Sequence, residues 1–199
     1  MNHIVKSIVE EWVKTGVIEE SDSPLYYFGL YEGGIFVIEV LVTLVIASIM
    51  QSLWVGIIFF LAFFSIRRFS GGFHAETRVR CFIVSVFVVV GAMKGIELLC
   101  NCYSFHMVLI SGICSVAIGV MSPVENEKRE LTTHETMIHK NRLLLILLCE
   151  LVLSIILAML EQKMILSCVT MAILVCIFLN VLEVIKRKLY CNSGNATLE

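Results

Sequence analysis

IFVIEVLVTLVIASIM (35–50), the pair Gln51-Ser52 and LWVGIIFFLAFFSI (53–66) decide the architecture, because they read either as one long helix or as two short ones. Fused into one helix they would run about 45 Å at 1.5 Å per residue, well past a hydrocarbon core of about 30 Å. Two short helices joined by a tight hairpin at Gln51 suit a bilayer better. The second segment, Leu53–Ile66, also reads as a half-span or re-entrant piece, which needs protein over its ends because lipid offers no hydrogen bonds to bare backbone.

The rest of the chain supports the same solvent. Of its 199 residues 58% are hydrophobic and 16% charged, and the mean hydropathy is +0.91, where a soluble domain has roughly 45–50% apolar residues. Four further apolar runs follow at Phe82–Leu99, Tyr103–Met121, Leu143–Leu160 and Met164–Ile185. The sequence therefore predicts an all-α integral membrane protein with about six transmembrane helices, forming one membrane-embedded domain over 1–199 with its transmembrane region at 35–185. A net charge of −2 gives no electrostatic case for a nucleic-acid partner.

Basic residues set the expected orientation. Arg67, Arg68, Arg78 and Arg80 share one loop, Lys128, Arg129, Lys140 and Arg142 another, and Lys186-Arg187-Lys188 follow the last run, whereas the turns near Gln51, Asn101 and Gln162 hold only Lys163. The positive-inside bias then puts every basic loop, both termini and the 186–199 tail on the cytoplasmic side. Residues 1–22 lack the layout of a secretory signal. They read as an amphipathic helix, with Ile4, Ile8 and Trp12 beside Val5, Val9 and Val13, and with Lys6, Glu10, Glu11 and Lys14 opposite. It is expected to lie in the membrane interface or dock on the protein, and to end before Pro24.

One polar interval interrupts the apolar sequence: Arg67-Arg68-Phe69-Ser70-Gly71-Gly72-Phe73-His74-Ala75-Glu76-Thr77-Arg78-Val79-Arg80-Cys81. Arg78 and Arg80 close to Cys81, Arg67 and Arg68 upstream, and the positive end of a following helix all favour thiolate over thiol. His74 is the group nearby that shuttles a proton at neutral pH, and Cys with His is the minimal apparatus for attack on a carbonyl and protonation of a leaving amine. Seven residues of straight helix would separate the two by about 10 Å, so the backbone must bend or begin its helix between them. Gly71 and Gly72 allow that bend and offer bare N–H groups to an oxyanion, although glycines that simply end a loop would look the same.

The remaining cysteines carry less. Cys114, Cys149, Cys168 and Cys176 fall within apolar runs and read as packing residues, and Cys100-Asn101-Cys102 has poor spacing for a mutual bridge. Neither paired Cys-x-x-Cys nor His-Glu-x-x-His is present, so no metal and no cofactor is expected. Lys94 and Glu97, three apart on a helix, should neutralise each other. Glu39, Glu150 and Glu183 stand alone in apolar runs, where burial is expensive unless a cavity or partner receives them.

Arg67, Gly71-Gly72, His74-Ala75 and Cys81, set between the second and third apolar segments, resemble the accessory gene regulator B (AgrB) family of quorum-sensing membrane peptidases. The amphipathic start, the basic internal loops and Ser122-Pro123-Val124-Glu125-Asn126 after the fourth run extend the resemblance. It implies a cysteine endopeptidase that removes the C-terminal tail of a membrane-bound, AgrD-like autoinducer pro-peptide and closes the remainder into a thiolactone or lactone. Cys81 would be the nucleophile and His74 the base and then the acid, with Arg67, Gly71, Gly72, Arg78 and Arg80 in support. The resemblance and the lone intramembrane carboxylates suggest a homodimer. A peptide transporter or a membrane scaffold is the alternative, but a transporter should show internal repeats and a scaffold gives the Arg, Gly-Gly, His and Cys set no purpose.

Overall fold

The computed structural model describes residues 2–50, 53–70, 78–122 and 133–195. They form α1 (Asn2–Lys14), α2 (Ser23–Ile49), α3 (Leu53–Ser70), α4 (Arg78–Leu99), α5 (Ser104–Met121), α6 (Thr133–Met159) and α7 (Lys163–Asn195), with a 3-10 turn at Glu20–Asp22. Among the described residues there is no strand. Six helices, α2 to α7, are long and apolar enough to cross a membrane, so the fold is the all-α membrane architecture that composition implies.

α2 and α3 are separate helices, as the length argument requires. With 18 residues, α3 is about 27 Å long, close to a hydrocarbon core of about 30 Å, and it is long and apolar enough to count as a span. The helices outrun the apolar runs at several ends. α2 begins at Ser23, well before Ile35, because Pro24 fits a first turn that needs no N–H and the following Tyr and Gly residues dilute apolarity without breaking a helix. α6 gains a polar start from Thr133, and α7 continues past Lys188.

The contacts divide the chain into two compact units, 1–45 and 46–199. In the first, Val5 and Val9 of α1 are buried with Ile18 and Tyr31, with Trp12, Val13 and Tyr27 around them. α1 ends where Gly16 takes a positive φ of 71°, a conformation that costs glycine little. Ile4 and Ile8 stay exposed. The broad apolar face seen in the sequence is thus divided: Val5 and Val9 pack within this unit, and Ile4 and Ile8 do not.

In the second unit α7 is the central helix. Cys168, Ala172, Val175 and Leu179 recur at helical spacing and pack with Ala47, Phe59, Ala92, Met93 and Ile96. Leu166, Val169, Ile173 and Cys176 form a second stripe against Ile66, Met107, Ile118, Leu143 and Leu147. A helix apolar on both sides is one that neighbours enclose. The α3–α7 register is fixed twice, since the Cys168 thiol donates to the Val55 carbonyl and the Cys176 thiol to the Phe63 carbonyl, both at 3.8 Å. α4 approaches α7 at Gly95, where an added Cβ would stand 2.8 Å from the Met171 thioether.

Candidate functional site

α3 ends in Arg67-Arg68-Phe69-Ser70 and α4 opens with Arg78-Val79-Arg80-Cys81. Gly71, Gly72 and His74 lie outside the described residues, and for Arg78, Arg80 and Cys81 the description extends to the backbone. Cys81 lies on α4, three residues after Arg78, the first residue of that helix within the described residues.

Packing register gives the heights of these ends. Phe63 meets Cys176, so Ser70, seven residues on, comes level with Glu183 of the parallel α7. Gly95 meets Met171, and α4 runs the other way, so Cys81 comes level with residue 185. The last turn of α3 and the first turn of α4 therefore reach the same depth, just before Lys186-Arg187-Lys188. That common level is what a site spanning 67–81 demands.

Around this end the described side chains are unusually polar. Arg68 lies over the Phe69 ring at 5.8 Å, and the Phe69 ring is 5.9 Å from that of His139. Ser70 is fully buried. One turn deeper, the Ser65 hydroxyl donates to Glu150 Oε1 at 2.7 Å. Asn180, one turn beyond Cys176, donates through Nδ2 to Ser122 Oγ at 3.1 Å.

The structure thus brings Glu150, a residue the sequence shows only as an isolated carboxylate, to Ser65 of α3, two residues before Arg67. Ser65 and Glu150 are 85 residues apart, and nothing in a single sequence joins them. His139 is a second imidazole at this end that motif reading passes over. Lys94 and Glu97 form the expected ion pair at 3.0 Å. Cys100, Cys102, Cys114, Cys149, Cys168 and Cys176 are free thiols, with Cys168 and Cys176 buried and Cys102 and Cys149 exposed. No group of three metal-ligating side chains occurs among the described residues.

A family model, accessory gene regulator B, matches residues 1–180. The chain belongs to the AgrB family. The matched range contains the whole 67–81 interval, the Ser65–Glu150 contact and Asn180. Membership associates the chain with accessory gene regulator quorum sensing and the processing of an AgrD-like pro-peptide, and the six apolar helices make it a multi-pass membrane protein. No curated protein and no solved structure matches it.

Proposed function

We propose that this AgrB-family chain is a membrane-embedded cysteine endopeptidase that cuts the C-terminal tail from an autoinducer pro-peptide and cyclises the remainder. The observation that carries the reading is the family match across the interval holding Arg67, Gly71, Gly72, His74, Arg78, Arg80 and Cys81. The arginines at 78 and 80, next to Cys81 in the sequence, agree with a thiolate nucleophile.

In the proposed reaction the Cys81 thiolate attacks the scissile carbonyl. The C–N bond breaks, His74 passes a proton to the leaving amine, and an acyl-enzyme thioester forms. A thiol or hydroxyl within the bound peptide then gives its proton to His74 and attacks the thioester, releasing Cys81 and the ring. Exchange keeps the acyl group activated where water would hydrolyse it, so the site must hold the internal nucleophile close and keep water out. Backbone N–H groups near Gly71 and Gly72 would take the oxyanion. The site faces the cytoplasm in this reading, on the strength of the basic loops, and two copies assemble as a homodimer.

Cys81→Ala and Cys81→Ser should abolish tail release, read by mass spectrometry of the pro-peptide with membrane vesicles, while insertion and yield stay normal. Normal cleavage by either variant would refute the peptidase. Thiol alkylation at neutral pH gives a peptide-free check: Cys81 should react faster than the exposed Cys102 and Cys149.

A further inference from the structure

Glu150 and Asn180 share an arrangement that packing alone does not require. Each is seated by a serine from a neighbouring segment, Glu150 Oε1 by Ser65 and Asn180 Nδ2 by Ser122. Each also keeps an oxygen, Glu150 Oε2 and Asn180 Oδ1, buried and without a hydrogen-bond partner. The two residues are 7% and 0% exposed, and an unmatched buried polar group costs about 1–3 kcal/mol. Ser115 Oγ is likewise unmatched, but a hydroxyl can turn toward its own helix's carbonyls, a recourse closed to a seated carboxylate or amide.

What the two oxygens lack is donors, and their spacing suggests which kind. Glu150 is hydrogen-bonded to Ser65 of α3, whose neighbour Phe63 meets Cys176, and Asn180 lies four residues beyond Cys176 on α7, an axial rise of about 6 Å. In an extended peptide, N–H groups on one side recur every second residue, about 6.6–6.8 Å. A peptide brought into a water-poor interior must match every N–H it carries. Asn180 lies about 7 Å, and the level of Cys176 about 13 Å, deeper than the level of Cys81, which corresponds to roughly two and four residues of extended chain.

We infer that Glu150 Oε2 and Asn180 Oδ1 form a subsite that accepts two backbone N–H groups of the substrate peptide, about two and four residues from the scissile bond. The inference rests on the peptidase reading for its substrate class and adds the residues that hold the strand. Ser65 and Ser122 set the two acceptors.

The test uses full-length protein carrying Cys81→Ala, so that binding is read without cleavage, and a fluorescently labelled pro-peptide in detergent or nanodiscs. Glu150→Gln keeps the shape and the Ser65 acceptor but turns the free oxygen into a donor; it should weaken binding at least tenfold at an unchanged melting temperature. Asn180→Leu should do the same. N-methylation of single amides should weaken binding to a similar extent at two positions two residues apart, with no further loss when the methylated peptide meets the variant lacking the matching acceptor. Losses that multiply, or that fall equally on every methylated peptide, would assign the oxygens to ordered water and overturn the subsite, as would peptide binding unaffected by Glu150→Gln. If Asn180→Leu does not fold, Glu150→Gln decides alone. Because binding is measured on a protein that cannot cut, failure of the subsite leaves the cleavage test of Cys81 standing, and failure to cleave leaves the binding test standing.

Discussion

α2 and α7 are both long and strongly apolar, yet 11% of the spanning stretch of α2 is buried and 61% of that of α7. The polar residues differ more than the apolar ones. α7 encloses Ser167, Thr170, Asn180 and Glu183, whereas Leu25, Phe28, Val37, Leu41 and Val45 of α2 are exposed. Lipid is as apolar as a protein core, so greasiness does not separate the inside of a membrane protein from its outside. Small residues that permit close approach and polar residues that find partners on other helices mark the interior.

The sharpest way to break this contrast is to place the same bulky group in both helices. Ala172 is fully buried between two layers, so Ala172→Phe should lower stability by about 3 kcal/mol through overpacking. Leu41→Phe, on an exposed position of α2, should leave thermal unfolding in detergent unchanged. Equal losses would show that α7 is not the packing centre.

Cysteine offers a gentler version. Cys176 is buried and donates to the Phe63 carbonyl of the helix that leads into 67–81. Cys176→Ala should cost about 1–2 kcal/mol and slow pro-peptide cleavage, whereas Cys149→Ala, at an exposed position in α6, should change neither. Unaltered unfolding and cleavage with Cys176→Ala would remove the brace.

The smallest effect sits at the Ser111–Thr170 hydrogen bond, 3.1 Å between hydroxyl oxygens of α5 and α7. A double-mutant cycle of Ser111→Ala and Thr170→Val should return a coupling of about 0.6 kcal/mol, typical of interhelical bonds in membranes. Zero coupling would make these hydroxyls solutes of the interior without a part in holding it.

The six helices were visible in the sequence because apolar length is a direct consequence of bilayer thickness. Their ends were less so: the Tyr- and Gly-bearing start of α2 dilutes the apolar signal while remaining helical, and the polar turns of α6 leave the run altogether. In the N-terminal helix the pattern held Ile4, Ile8, Val5 and Val9 together, and only packing selected the valines. Cys81 and His74 are proposed from residue type and spacing alone, and His74 lies outside the described residues. The Ser65–Glu150 and Ser122–Asn180 contacts were not legible in the sequence, because each joins segments far apart in the chain through the fold itself.

The constant offset between α3 and α7 carries a consequence for synthesis. The second span is braced by the sixth, 113 residues later, so while the chain emerges, the helix bearing Arg67 waits in the membrane without its neighbour. Translation delivers the thiol and the histidine early and the part that steadies them last. In the peptidase proposed here, that order of assembly would act as a safeguard, keeping the cysteine idle until the molecule that houses it is finished.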